Sequence, residues 1–196
     1  MLKNGDFDII KPQFNFYKRN LSNAKVRTQV SWGIDGCSFC EQIGSSGLPL
    51  GSHYGWEPPF GDRDPKKEVG LSNLHTTYYT TQLEFAFMIH EWYRFAGADI
   101  SSYIPFLKQA VIFHFEYFKM LEKRRTGMNF NKNGFLVIYP SHALETYHGK
   151  NATDVICALK LNLECLLSLP DKWVNTKEKK MFNDWLRRVP PINFRT

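Results

Sequence analysis

Three carboxylates stand in company that could put them to chemical use. Glu84 lies inside the apolar run Leu83-Glu84-Phe85-Ala86-Phe87-Met88. A carboxylate in such surroundings is costly unless it is hydrogen-bonded, ion-paired or in contact with a pocket. Glu41 follows Phe39 in a glycine-rich segment, and Glu145 lies between His142 and Tyr147. Histidine and tyrosine side chains are good partners for hydroxyl groups. A general acid among the three would need its pKa raised by an apolar surround or a like charge. Tyr54, Trp56 and Tyr79 offer flat faces for stacking on a sugar, while Trp92 and Trp185 fall in helical patterns and read as core.

Other chemistries find less in the chain. Cys37-x-x-Cys40 has no second CxxC partner, so a zinc site lacks ligands, and a redox role for the pair stays open. Cys157 and Cys165 fall in an apolar helical pattern and read as core residues. His90 and His114 read as satisfied core groups, whereas His53 and His75 belong to loops. There is no HExxH, no glycine-rich phosphate cradle and no GxSxG elbow. No metal and no cofactor is expected.

Composition narrows the class further. The 196 residues suit one domain or a large part of one, and 43% hydrophobic with 22% charged residues means a globular chain. The net charge of +6 is spread, with short clusters only at Lys123–Arg125 and Lys177–Lys180. A nucleic-acid binder would concentrate that charge on one face, so nucleic acid is not expected as a partner. No apolar run approaches the ~20 residues of a membrane span. Met1 to Asp8 is polar and carries no signal-peptide pattern. Asn20-Leu-Ser22 and Asn151-Ala-Thr153 match the glycosylation sequon.

The elements that must position the acids are mostly helices. Asp6 to Val30 has helical periodicity, with Pro12 expected in a first turn and regular helix from about Lys11. Ser31 to Leu74 is dense in glycine and proline, yet rich in aromatics, as in a functional loop. Thr80 to Leu121 reads as two apolar helices joined by a turn at Gly97–Ser101, hence an antiparallel pair, with Ser101 or Ser102 as cap and Pro105 in the first turn. Asn133-Gly134 followed by Phe135-Leu-Val-Ile-Tyr139 predicts a small β-hairpin, and Pro140 to Lys150 a loop. Asn151 or Thr153 is expected to cap a helix from Asp154 to Leu169, stopped by Pro170. A last helix is expected from about Thr176 to Arg188. The fold class is all-α, built from helix pairs separated by long Gly/Pro-rich loops.

Three ordered stretches carry a family resemblance. They are Gly36-Cys-Ser-Phe39-Cys-Glu41-Gln; Leu83-Glu84-Phe-Ala86 leading to Tyr93-Arg94-Phe95-Ala-Gly97; and Tyr139-Pro140-Ser141-His-Ala143-Leu144-Glu145-Thr146-Tyr147 with Asn151-Ala-Thr153-Asp154 and a helix ending Leu167-Ser-Leu169-Pro170. Taken in this order, the chain resembles the bacterial six-hairpin glycoside hydrolases, built as (α/α)6 toroids, from about Asp6 to Pro191. Cys40 stands where a proline is common in that family. Family members continue into more helices past a segment like Arg187 to Ile192, and upstream helices are also missing. The expectation is therefore one partial toroid domain over residues 1–196, with the remainder of that domain as a partner.

The resemblance implies hydrolysis of glycosidic bonds in a poly- or oligosaccharide, by an inverting mechanism, in an extracellular or periplasmic setting. Two carboxyl groups then flank the bond, one protonating the leaving oxygen and the other activating water. Glu41, Glu84 and Glu145 are the catalytic candidates. Tyr54, Trp56, Tyr79, His142 and Tyr147 are the substrate-binding candidates. Each acid keeps a plainer reading: a structural acid bonded to a loop for Glu84, a loop brace for Glu145, an exposed or capping residue for Glu41. The alternative for the whole chain is a non-catalytic carbohydrate-binding or interaction module.

Overall fold

The computed structural model describes residues 4–40, 43–48, 79–143 and 147–192. Its elements are α1 (Phe7–Trp32), α2 (Thr80–Ala96), α3 (Ile104–Thr126, entered through a 3-10 turn at Ser101–Tyr103), β1 (Ser141–Ala143), β2 (Tyr147–Gly149), α4 (Thr153–Ser168) and α5 (Thr176–Arg188). The chain is mostly helical, as its periodicity predicts. Among the described residues no helix is long and apolar enough to cross a membrane.

Each helix forms for a local reason. In α1, Ile10, Phe14, Tyr17, Ala24 and Thr28 are buried at helical spacing. Helix α1 starts at Phe7, so Pro12 lies inside it rather than in a first turn. Pro12 has no N–H, and the bond to the carbonyl four residues back is lost there. Gly33 ends α1 in the left-handed conformation, with φ of 65° and its N–H bonded to Gln29 O. Helix α3 is the hub: Phe106, Leu107, Ala110, Val111, Phe113, Phe115, Phe118 and Leu121 are buried, and the stripe through Lys108, Ile112, Glu116 and Lys119 is partly open. Helix α5 opens with a capping box, in which Asn175 Oδ1 accepts from Glu178 N–H (3.0 Å) and Glu178 Oε2 accepts from Asn175 N–H (2.9 Å).

Cross-contacts fix the helix directions. Helices α1 and α3 run parallel, since Asn15 meets Tyr103 (2.7 Å) near one end and Trp32 meets Tyr117 (ring centroids 5.6 Å) near the other. Helices α3 and α5 are parallel too, joined by Lys108–Glu178 (2.7 Å) and by the Phe115–Trp185 stack (4.3 Å). Helices α2 and α4 also run alongside in one direction, through Asn162 Nδ2 to Leu83 O (3.0 Å) and His90 Nε2 to Ser168 Oγ (3.2 Å). Helix α2 opposes α3, because Gln82 meets His114 (3.2 Å) while Trp92 meets Tyr103 (6.1 Å). The helices thus alternate in direction along the chain, with α1, α3 and α5 pointing one way and α2 and α4 the other.

Alternation sorts the connections. The short links 97–103 and 169–175 fall at one end of the array, while the links from 33 to 79 and from 127 to 152 leave from the other.

Two expected details differ. The turn at Asn133-Gly134 is present: Asn131 Oδ1 accepts from Asn133 and Phe135 N–H (2.9 and 3.0 Å). Among the described residues no β-ladder follows it. Leu136, Val137 and Ile138 are buried as an extended segment, held by Leu136 N–H to Arg188 O (2.8 Å) and by Ile138 N–H to Asn151 Oδ1 (3.0 Å). The ladder lies in the stretch expected to be a loop, where β1 and β2 pair antiparallel with His142 opposite His148 and Ala143 opposite Tyr147. Asn151 has φ of 59° and braces Ile138 instead of capping α4, whose N-cap residue is Ala152.

Candidate functional site

The segment after α1 does not stay at the rim of the array. Gly36, at φ of 111°, lies so close to α3 that an added Cβ would stand 2.4 Å from Phe113 Cα. The chain then runs back along α1. Cys37 N–H donates to Gln109 O (3.1 Å), and Phe39 packs its ring against Tyr17 (5.0 Å) and Phe106 (5.9 Å). Gln82 pins this segment to α2: its Oε1 accepts from Phe39 N–H at 3.0 Å, and its Nε2 meets His114 Nδ1 at 3.2 Å. On the α1 side, Arg27 donates to Ser38 Oγ (2.8 Å) and to Ser38 O (3.1 Å), and Ser38 also meets Thr28 Oγ1 (2.9 Å).

Burial sets the chemistry of this layer. His114 is fully enclosed and its pKa is pushed down to about 4, burial outweighing its hydrogen bonds to the Ala110 and Tyr79 carbonyls. It is therefore neutral at pH 7. The Cys37 thiol is pushed well up by burial, although Lys25 works the other way. Cys37 and Cys40 are both buried and form no disulfide with each other. That is a poor setting for thiolate chemistry. Cys165 is buried as expected, with its thiol pushed up to about 12 by burial and nearby Glu91, but Cys157 is exposed rather than in the core.

Glu84 is exposed on the second turn of α2. The apolar run around it suggests a buried acid, but the neighbours Leu83 and Ala86 take the core face and leave Glu84 on the open one. Its charge reaches Tyr17 on α1, whose pKa is raised by burial first and then by Glu84 and Cys40. Glu41 itself, Glu145, Tyr54, Trp56 and the loop histidines His53 and His75 lie outside the described residues. His142 and Tyr147 are in β1 and β2, one on each strand.

Tyr79 is a core ring here. It is buried against Trp32 (5.9 Å), Phe113 (4.8 Å) and Tyr117 (5.6 Å), with the Arg27 guanidinium 5.9 Å from its centroid. Burial pushes its phenol up to about 12. No hydrogen-bond partner meets the Tyr79 hydroxyl among the described residues, nor the Ser141 hydroxyl nor His90 Nδ1.

Two hollows open on the described surface. One, of about 330 Å3, is lined by Lys25, Asp35, Gln109, Ile112, Glu116, Met181 and Trp185. The other, of about 360 Å3, is mostly apolar and includes Phe135, Ile156, Leu186 and Val189. Neither has a motif in the sequence. Their residues come from distant helices, so only the assembled array brings them together. Among the described residues no three His, Cys, Asp or Glu side chains gather as metal ligands.

No protein-family model matches this chain, and no curated protein or solved structure does. The functional reading rests on the residues and their arrangement.

Proposed function

We propose that the chain is part of a glycoside hydrolase of the six-hairpin, (α/α)6 toroid type, cleaving glycosidic bonds in a poly- or oligosaccharide by inversion. The observation that carries this reading is the alternation of helix directions, with α2 and α4 as like-directed neighbours and the long connections leaving from one end. A ring of helical hairpins needs that alternation. In this reading α2 and α4 belong to the inner set, and further helices of the same domain complete the ring.

Long connections at one end of a rigid array are where binding and catalytic groups gather. Glu84 stands on α2 near that end, exposed and so able to meet a substrate. Glu41 follows Cys40 directly in the sequence. Glu145 falls in sequence between β1 and β2, shortly before α4. Two of these three carboxyl groups would lie roughly 6.5–9.5 Å apart across the scissile bond, leaving room for the attacking water. One gives a proton to the departing sugar oxygen. The other takes a proton from the water as it attacks the anomeric carbon from the opposite side. Tyr54, Trp56, His142 and Tyr147 are the remaining sugar-binding candidates; the burial of Tyr79 makes it a support for that layer.

The test is release of reducing ends from a panel of neutral and acidic glycans. Turnover of at least one glycan is expected, falling by about 10²-fold or more in Glu84→Gln or Glu145→Gln. Binding without turnover favours the non-catalytic module. Turnover that survives both substitutions overturns the assignment of these acids.

A further inference from the structure

One end of the array gathers cations that the sequence spreads. Helix α3 closes with Lys123, Arg124 and Arg125, and α5 closes with Arg187 and Arg188. The two helices run parallel, so these last turns lie at the same end. The connection from 127 to 152 crosses that end and ties the two together. Arg188 Nη1 reaches Gly134 O (3.5 Å), and Arg188 O accepts from Leu136 N–H (2.8 Å). Further along, Ile138 N–H donates to Asn151 Oδ1 (3.0 Å), and Arg125 donates to Tyr139 O (2.7 Å). This path brings Lys132 and Lys150 to the same end as the two helix termini.

Helix ends account for part of this charge. Lysine and arginine in a last turn answer the partial negative charge of the C-terminal carbonyls, as on α3 and α5. Lys132 and Lys150 answer no helix C-terminus. Lys150 stands shortly before Thr153, the first residue of α4, where the helix dipole disfavours a cation. Lys123, Lys132, Lys150 and Arg187 are exposed, and none has a carboxylate partner among the described residues. The nearby acids are already committed or few: Glu122 is held by Arg125 (2.6 Å), Asp184 by Arg188 (2.9 Å), and Asp154 lies in the first turn of α4. The cations therefore outnumber the acids along this path, and they are strung out rather than gathered at a point. Such a surface attracts a chain of negative charges more than a single small anion.

The rings in the patch favour one kind of chain. The Arg188 guanidinium lies over Phe130 (4.5 Å), and that of Arg125 over Tyr139 (4.7 Å). Single-stranded nucleic acid takes much of its binding from bases stacked on aromatic faces. Here guanidinium groups hold those faces. What the patch offers is charge and N–H donors, which suit carboxylate or sulfate groups carried on a sugar chain.

We infer that this end of the array binds an acidic polysaccharide. The sign of its charge follows from the patch, while its sugar backbone rests on the reading of the chain as part of a glycoside hydrolase. The experiment follows fluorescence anisotropy of labelled oligogalacturonate, hyaluronate and heparin fragments, with the methyl ester of the oligogalacturonate as an uncharged copy and DNA oligonucleotides as rival polyanions. Saturable binding of at least one acidic glycan is expected, falling steeply as salt rises. The double variant Lys132→Glu with Lys150→Glu is expected to weaken it by about tenfold or more. Lys177→Glu with Lys180→Glu, exposed at the other end of α5, makes the same change in net charge and is expected to leave binding unchanged. Glu84→Gln is expected to leave it unchanged too, so binding and hydrolysis fail separately. Turnover of a neutral glycan with no acidic glycan bound overturns this inference and leaves the hydrolase reading standing. It is also overturned if the methyl ester binds as tightly as the free acid, if DNA binds more tightly than every acidic glycan, or if the two double variants behave alike.

Discussion

His114 and the cysteines take their properties from burial, and both are open to direct measurement. The unfolded chain titrates His114 near its ordinary 6.5, while the folded protein holds it down to about 4. Between those values the unfolded state binds more protons, so stability is full above pH 6.5 and falls as pH drops toward 4. The loss is about 3 kcal/mol, from roughly 1.4 kcal/mol for each pKa unit. Urea unfolding across this range is expected to flatten in His114→Gln; an unchanged pH dependence would remove His114 as its source. The cysteines divide by accessibility. Cys157 is expected to react with a thiol reagent in the native state, and Cys37, Cys40 and Cys165 only after denaturation. Rapid native labelling of Cys37 would contradict its burial. The core character of His90, His114 and Trp185 is legible from their apolar helical neighbours. The outward face of Glu84 and Cys157 is not, because an apolar run names a helix without saying which side its neighbours leave open.

Elements were easiest to read where local chemistry decides them. Helix α5 spans Thr176–Arg188 as expected, and the turn at Gly97 makes the expected hairpin of α2 and α3. Tertiary partners decided the rest. Phe135–Tyr139 has the residues of a strand, but its backbone bonds go to Arg188 and Asn151 rather than to a second strand. The packing of the segment after α1 has a sharp test at Gly36. Alanine there would be strained by the positive φ and would put a methyl group against the Phe113 backbone. Gly36→Ala is expected to cost about 3–5 kcal/mol in chemical denaturation, from backbone strain and overpacking together. Gly134→Ala also has a positive φ but meets nothing within 4 Å, so it serves as the milder control. Equal losses at the two sites would mean that Gly36 is not pressed on α3.

At the scale of the whole molecule, helix direction unites the structure. Local periodicity predicts each helix, but parallel pairing of α1 with α3 and of α2 with α4 depends on contacts such as Asn15–Tyr103 and Leu83–Asn162, far apart in sequence. Those contacts could not be read from composition or spacing. The ordered motifs around Glu41, Glu84 and Glu145 could, and the proposed sugar chemistry rests on them. The most direct test is a crystal structure of the full protein with an uncleaved oligosaccharide bound. The expected result is a glycosidic oxygen flanked by two of Glu41, Glu84 and Glu145, their carboxyl groups roughly 6.5–9.5 Å apart. Carboxyl groups on separate surfaces, with the glycan bound elsewhere, would contradict it.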